Sequence, residues 1–175
     1  MISTLFPRRT GWGFPARETP LDDIVWSVVD TETTGLDIRN ARVISLGAVD
    51  MNTHGIPLRQ RFEAVLNIDV ELSNHNVMIH RLTPGHLRRG KALEATYRAL
   101  LNFLRGKPLL AFHAAYDKVM LEKELRTILK THCRLPFSDV AQWTRSLFPE
   151  HSRRRTLDDW VAAFDLQIAN RHQAV

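Results

Sequence analysis

The segment Ile24–Leu36, which reads IVWSVVDTETTGL, constrains the fold more than any other part of the sequence. Its apolar and β-branched first half predicts a buried central strand over Ile24–Val29. Side chains two positions apart in a strand point to the same face, so Asp30 and Glu32 are expected to project together from the strand end. Two adjacent carboxylates repel each other and are costly to bury unless a cation neutralises them. The segment therefore predicts a site for a hard metal ion at the end of a strand.

Composition limits the kind of protein to which this site can belong. The chain has 175 residues, of which 44% are hydrophobic and 25% charged, and this predicts one globular domain with its own core. A net charge of +5 favours polyanionic partners such as nucleic acid. The single cysteine, Cys133, excludes an internal disulfide framework and a cysteine-cluster zinc site. No apolar run approaches the roughly 18 residues of a membrane span, so we expect a cytoplasmic protein with no membrane partner.

Residues 1–20 show neither helical nor strand periodicity, and we expect them to form a mobile N-terminal arm ahead of a domain at residues 21–175. The arm interleaves arginines with aromatic residues, a combination that can pair with and stack on nucleic acid. A poorly ordered extension, or a segment docked on its own domain, is the simpler interpretation.

The apolar pattern predicts three strands followed by alternating helices and strands. The three strands, Ile24–Val29, Ala41–Asp50 and Leu58–Leu66, have short connections, which indicates an antiparallel meander. Residues 67–90 show no periodicity and are expected to be irregular. The later elements are expected as a helix over Lys91–Leu104, a strand over Pro108–Phe112, a helix over Ala115–Lys130, a short strand or turn and then a helix within Phe137–Phe148, and a helix over Thr156–Phe164.

Asp117 lies four residues before Leu121 and therefore starts the inward face of the helix predicted over Ala115–Lys130. One interpretation is that its carboxylate only complements the helix dipole, an effect of about 0.3–1 kcal/mol. The other is that it is a third metal ligand, delivered beside the first strand by a strand–helix junction. The local pattern alone leaves both open.

Two clusters of cations are candidates for contact with phosphate. The first comprises Arg81, Arg88, Arg89 and Lys91, within and just after the stretch expected to be irregular. The second is the run Arg153–Arg155, whose default interpretation is a solvated loop.

Three motifs occur in order along the chain: VVDTETTGL at Val28–Leu36, FHAAYD at Phe112–Asp117 and NRHQA at Asn170–Ala174. With these motifs the chain resembles the DnaQ-like 3′–5′ exonucleases of the DEDDh class and is similar to polymerase III epsilon proofreading subunits. The resemblance covers nearly the whole chain after the arm. It implies an α/β, ribonuclease H-like fold, in which a mixed sheet with three leading antiparallel strands is flanked by helices.

The same resemblance implies roles for individual residues. Asp30, Glu32 and Asp117 would be catalytic, metal-binding carboxylates, and His172 would be the general base, although spacing alone fits a surface histidine equally well. Two Mg²⁺ or Mn²⁺ ions would activate the attacking water and stabilise the leaving 3′ oxygen. The residues implied to bind the 3′-terminal nucleotide are Thr33, Thr34, Gly35, Leu36 and His113.

The sequence departs from the family pattern at two places. Ala114 stands where the second motif commonly has Asn, a change expected to weaken substrate positioning without removing a metal ligand. The third motif continues to an Asp that would fall two residues beyond Val175, so the fourth carboxylate is absent from the sequence. We expect that the sequence stops inside its active-site helix; a naturally degenerate site is the alternative. Either way, weak or single-metal occupancy is expected.

The sequence thus predicts a metal-dependent 3′–5′ exonuclease that releases nucleoside monophosphates from single-stranded 3′ ends of DNA or RNA, in proofreading or repair. A DNA polymerase is a candidate partner, and the activity of the 175-residue chain is expected to be reduced. Binding should be salt-sensitive and largely indifferent to base sequence. The alternative, from another functional class, is a catalytically impaired nucleic-acid-binding or polymerase-docking module.

Overall fold

A mixed five-stranded sheet is the centre of the fold. The computed structural model describes residues 15–16, 18–57, 59–151 and 153–167. The strands are β1 (Trp26–Thr33), β2 (Val43–Met51), β3 (Arg61–Val65), β4 (Leu109–Ala111) and β5 (Phe137–Asp139), in the order β3–β2–β1–β4–β5. β1, β2 and β3 pair antiparallel, whereas β4 pairs parallel with β1 and with β5. The predicted α/β, ribonuclease H-like mixed sheet with three leading antiparallel strands is confirmed.

The helices found within the described residues are α1 (Asn74–His80), α2 (Pro84–Arg88), α3 (Leu93–Leu104), α4 (Ala115–Leu129), α5 (Val140–Leu147) and α6 (Leu157–Ala163). The predicted helices that start near Lys91, Ala115 and Thr156 are present as α3, α4 and α6, and the predicted strand-then-helix within Phe137–Phe148 is present as β5 and α5.

The expectation that residues 67–90 are irregular was wrong, because α1 and α2 both lie within them. Both helices are short and are marked by capping residues rather than by apolar periodicity. The Ser73 hydroxyl accepts a hydrogen bond from the backbone of Asn76, and Thr83 and His86 form a reciprocal capping box. Leu87 is the buried hydrophobic residue of α2, so no apolar stripe indicated the helix.

Alternate residues of β1 face opposite sides of the sheet, and this alternation places the two carboxylates. Val29 belongs to the hydrophobic core that the sheet forms with α3 and α4. Asp30 is exposed and Glu32 is half-buried, on the face opposite that core. The strand was predicted to end at Val29 but continues to Thr33, so both carboxylates lie within the paired strand rather than after it.

The expectations for the N-terminal arm and for His172 fall largely on residues that the structure does not describe. Residues 1–14 and 17 of the predicted arm, and His172, lie outside the described residues. In the described part of the chain, none of the helices has the length and apolar character needed to cross a membrane. The mobile arm, the domain limits and the cytoplasmic location stay predictions.

Candidate active site

The carboxyl end of β1 presents Asp30 and Glu32 on one face. Asp30 is opposite Gly47 in the neighbouring strand β2, and Glu32 is opposite Ser45. Gly47 has no side chain and Ser45 has a small one, so bulky neighbours on β2 do not crowd the two carboxylates. The register of the pairing with β2 shifts between Glu32 and Thr33, directly after the second carboxylate.

The first turn of α4 brings Asp117 to this strand end. β4 lies parallel to β1, so the loop after β4 and the start of α4 lie at the edge of the sheet where β1 ends. Asp117 is only 7% exposed. Its Oδ1 accepts hydrogen bonds from the Thr31 backbone amide at 3.0 Å and from the Thr31 hydroxyl at 2.8 Å. The inward-facing carboxylate expected from the helix pattern is therefore present, and it is attached to the strand residue between Asp30 and Glu32.

Burial and neighbouring carboxylates raise the tendency of Glu32 and Asp117 to hold a proton. Burial, followed by the nearby charges of Asp30 and Asp117, raises the pKa of Glu32 to about 7. Burial also raises the pKa of Asp117 to about 6, with a further increase from Asp30 and an opposing effect from the hydrogen bonds of Thr31. Removing these protons would leave mutually repelling charges in a poorly solvated place. Such a site gains stability from a cation.

Carboxylate oxygens are the ligands that Mg²⁺ and Mn²⁺ prefer in proteins. The donor chemistry of Asp30, Glu32 and Asp117 therefore fits a hard divalent ion. Within the described residues, no set of three or more His, Cys, Asp or Glu side chains is already arranged as a cage for an ion. The fit consequently rests on the type of donor and on the raised pKa values of Glu32 and Asp117.

Tyr116 connects α4 to the segment Thr33–Leu36. Its hydroxyl donates to the Gly35 carbonyl at 2.5 Å and lies 2.9 Å from the Thr33 hydroxyl. The Thr33 hydroxyl also contacts the Gly35 carbonyl, at 2.9 Å. The two hydroxyl groups and the Gly35 carbonyl oxygen thus contact one another, and their hydrogen bonds fix the backbone of this segment against the first turn of α4.

Thr34 is held from the other side by Arg42. The two residues exchange hydrogen bonds, from the Thr34 amide to the Arg42 carbonyl and from the Arg42 amide to the Thr34 hydroxyl, both at 3.0 Å. The Arg42 guanidinium then binds Glu124 of α4 in a bidentate manner, at 2.7 and 3.1 Å. Glu124 is only 1% exposed. Two independent links thus join the Thr33–Leu36 segment to the helix that carries Asp117.

Leu36 and His113 are predicted nucleotide-binding residues with different surroundings. The Leu36 side chain is 86% exposed at the rim of the cleft, which leaves it free to contact a base. His113 has a positive φ of 59°, and its amide donates to Asp139 at 3.0 Å. Its ring Nε2 lies 3.0 Å from the Arg155 carbonyl, so one ring nitrogen is already paired with protein. The nucleotide-binding roles of both residues stay predictions.

A cleft of about 340 Å³ brings most of the predicted residues together. The predicted residues that line it are Asp30, Glu32, Thr33, Gly35, Leu36, His113 and Asp117. Thr34 does not line the cleft, and His172 is outside the described residues. The lining residues that were not predicted for the site are Thr31, Ile79, His80, Phe112 and Tyr116. Tyr116 is part of the second motif and could have been found there, whereas Ile79 and His80 belong to the helix that was expected to be irregular.

Comparison with known proteins identifies the family of the chain. The family model described as exonuclease, RNase_T, matches residues 27–175. The chain belongs to the RNase_T exonuclease family. The predicted resemblance to DnaQ-like exonucleases is thereby confirmed at the level of the family.

The chain is also similar to curated proteins that are much longer than it is. Over 154 residues the chain is 25% identical to the PolC-type DNA polymerase III of Streptococcus pyogenes serotype M18 (strain MGAS8232), covering 88% of this chain and 10% of the polymerase. The same figures hold for the PolC-type DNA polymerase III of Streptococcus agalactiae serotype III (strain NEM316). The RNase_T chain spans about a tenth of the length of these relatives.

Solved structures confirm the RNase_T fold. The zinc-ion-bound complex of E. coli exonuclease I with single-stranded DNA superposes with a TM-score of 0.72 at 14% identity, covering 87% of this chain and 37% of that one. A moderately thermophilic exonuclease I from Methylocaldum szegediense gives a TM-score of 0.69 at 16% identity, covering 86% and 38%. At such low sequence identity, these similarities are evidence for the fold alone.

Proposed function

We propose that this chain is a metal-dependent 3′–5′ exonuclease of the DEDDh class that acts on single-stranded DNA and releases nucleoside monophosphates. The observation that carries the proposal is the position of Asp117, which is bonded to Thr31 between Asp30 and Glu32. The exonuclease family match and the likeness to an exonuclease I bound to single-stranded DNA support the reaction and the substrate. The PolC-type relatives support a DNA polymerase as partner and proofreading as the setting.

Asp30, Glu32 and Asp117 are the residues that would hold the Mg²⁺ or Mn²⁺ ions. When bound, two such ions lower the pKa of a water molecule and neutralise charge on the phosphoryl oxygens. Glu32 and Asp117, whose raised pKa values favour the protonated form, would release protons as they bind a cation. The two hydrogen bonds from Thr31 keep the Asp117 carboxylate in one orientation during this change.

The Thr33–Leu36 segment positions the 3′-terminal nucleotide. Leu36 offers an exposed apolar surface to the base, while the links to Tyr116 and Arg42 keep its backbone in place. Accurate placement of the terminal phosphodiester beside the carboxylates is a large part of the rate enhancement in a reaction of this kind. In the proposal, His172 accepts the proton of the attacking water, as its motif implies.

The experiment is an assay of nucleotide release in Mn²⁺ from single-stranded DNA that carries a label at either the 3′ or the 5′ end. The 3′ label should be released first as a mononucleotide, and the 5′-labelled strand should shorten in single steps. Asp30→Asn should abolish release, whereas Asp69→Asn, at an exposed position outside the cleft, should leave it unchanged. A chain that binds the strand but cuts neither substrate would contradict the proposal and support a nucleic-acid-binding module. Cleavage that survives Asp30→Asn would contradict the assignment of the site.

A further inference from the structure

A second cavity, of about 490 Å³, adjoins the catalytic cleft. It lies between the strands β2 and β3 and the segment 80–91. Glu32 and His80 line both cavities, so the two spaces meet at a catalytic carboxylate. Arg81, Arg89 and Lys91 form one wall of this second cavity, which Glu32 and Glu63 also line. We call the cavity the basic groove.

The backbone that carries these cations is fixed by a close contact. Any Cβ at Gly90 would lie 2.4 Å from the carbonyl carbon of Leu66, so only glycine fits there. Hydrogen bonds on either side of this contact join Lys91 to Val65 at 2.8 Å and to Asn67 at 2.9 Å. The chain is thereby attached to the end of β3, and Arg89 and Lys91 flank the attachment. The groove wall has a defined backbone position rather than that of a free loop.

Two of the cations have side chains that are not engaged by an acidic partner. The ion pairs formed among the described residues involve Arg42, Arg98 and Lys107, so Arg81 and Arg89 take part in none of them. Lys91 donates to the backbone carbonyl of Glu63 at 3.0 Å and takes part in none of these ion pairs. A guanidinium group presents paired N–H donors that suit phosphate oxygens. The free cations therefore indicate an anionic ligand.

His80 supplies a donor at the junction of the cleft and the groove. It is only 4% exposed, and its Nδ1 accepts a hydrogen bond from the Leu82 amide at 3.1 Å. An accepting Nδ1 in a neutral imidazole leaves the ring proton on Nε2. That Nε2 is buried and has no hydrogen-bond partner among the described residues. A buried donor without an acceptor is costly, so His80 adds an unsatisfied polar group at the boundary of the two cavities.

From these observations we propose that the basic groove is a phosphate subsite, which holds the backbone of the substrate strand on the 5′ side of the nucleotide in the cleft. The inference rests on the proposed exonuclease function, since it needs a strand whose 3′ end lies beside Glu32. The phosphate of a released nucleoside monophosphate has the same chemistry, so the test separates these two sources of phosphate.

The test measures binding without turnover. Fluorescence anisotropy in EDTA is recorded with single-stranded DNA of about six nucleotides, and competition with a nucleoside 5′-monophosphate gives the affinity for the product. The test variant is Arg81→Gln with Arg89→Gln. The matched control is Arg98→Gln with Arg126→Gln, which removes the same charge at positions that do not line the groove. Thermal unfolding of both variants shows that they are folded.

We expect the test variant to bind the strand at least about tenfold more weakly than the control, because two charge-assisted contacts are lost. The negative slope of log K against log salt should become shallower by about 1.4, since each phosphate contact with a single strand contributes about −0.7. Affinity for the monophosphate should be unchanged.

Equal strand affinity and equal salt slopes in the two variants would overturn the inference. So would an equal loss of affinity for strand and monophosphate, which would assign the groove to the product, and so would an unsubstituted chain that binds no strand. An unsubstituted chain that binds the strand but does not cut it would overturn the proposed reaction alone, because the binding comparison would still decide the groove.

Discussion

The Tyr116 hydroxyl donates to the Gly35 carbonyl at 2.5 Å, so the residue that precedes Asp117 also holds the segment proposed to bind the 3′ nucleotide. Burial raises the pKa of the Tyr116 hydroxyl, which keeps it protonated and able to donate. The proposed metal site and the proposed nucleotide site are thus connected through one side chain.

Replacing Tyr116 with Phe removes this connection while the ring remains. The hydroxyl of Thr33 still contacts Gly35, so the free energy of unfolding should fall by only about 1 kcal/mol, the usual net value of one hydrogen bond. Because the hydroxyl fixes the nucleotide segment, KM for single-stranded DNA should rise about fivefold with little change in kcat, as measured by steady-state kinetics.

The matched control is Tyr97→Phe. The Tyr97 hydroxyl is buried and has no partner among the described residues, so its removal should leave both stability and KM unchanged or slightly improved. If Tyr116→Phe and Tyr97→Phe behave alike, the hydroxyl of Tyr116 does not position the segment.

Asp117→Asn separates the structural role of this residue from its proposed metal role. The Oδ1 of asparagine can still accept the two hydrogen bonds from Thr31, and asparagine has no buried charge, so the metal-free protein should be at least as stable as the unsubstituted one. The charge that attracts a cation is lost. We therefore expect Mn²⁺ to raise the Tm of the unsubstituted chain but not that of the variant. An equal Mn²⁺-dependent rise in both proteins would exclude Asp117 as a ligand.

The pKa of Glu32 makes the stability of the metal-free chain dependent on pH. The folded-state pKa is about 7, against an ordinary value of 4.5, so the protonated carboxyl is favoured in the fold. This contribution to stability is fully present below about pH 4.5 and is lost as the pH rises through about 7. Glu32→Gln has no such group to ionise.

Thermal unfolding in EDTA should therefore show that the Tm of Glu32→Gln, relative to the unsubstituted chain, increases between pH 5 and pH 8. A difference in Tm that is the same at both pH values would show that Glu32 titrates normally. Added Mn²⁺ should reduce the difference at pH 8, because it neutralises the ionised carboxyl.

Arg42→Met leaves Glu124 buried without its cation. Removal of one partner from a buried ion pair costs roughly 3–5 kcal/mol, and the partial exposure of Arg42 places the expected loss at the lower end. The double variant Arg42→Met with Glu124→Leu should recover most of this loss, because it leaves no buried charge unpaired. Urea unfolding measures both. Single and double variants of equal stability would show that the charge on Glu124 is not the cause.

Local patterns in the sequence were sufficient to predict the elements that carry the carboxylates. Alternation along β1 placed Asp30 and Glu32 on one face, and the apolar spacing of α4 placed Asp117 at the start of an inward face. These signals are strong because each repeats over many residues of a long element. The short helix α2 is specified by Pro84 and its cap instead, so the absence of periodicity there was misinterpreted as an absence of structure.

Relationships between distant segments had no signature in the sequence. The pairing of Tyr116 with Gly35 depends on how the chain leaves β1, which no local pattern records. The same holds for the position of the basic groove, because the approach of Gly90 to Leu66 becomes visible only when β3 and the following segment are packed together. The predicted general base, His172, is untested because it lies outside the described residues.

The contacts that build the cleft join residues that are far apart along the chain. Thr31 and Asp117 are separated by 86 positions, Thr33 and Tyr116 by 83, and Arg42 and Glu124 by 82. Bringing such distant residues together costs chain entropy that is recovered only when the β1–β4 pairing and the packing of α4 form. A fragment that ends before β4 would thus have the first motif without a working cleft. The amide proton of Thr31, which is bonded to Asp117, would report in hydrogen exchange the moment at which the site becomes complete.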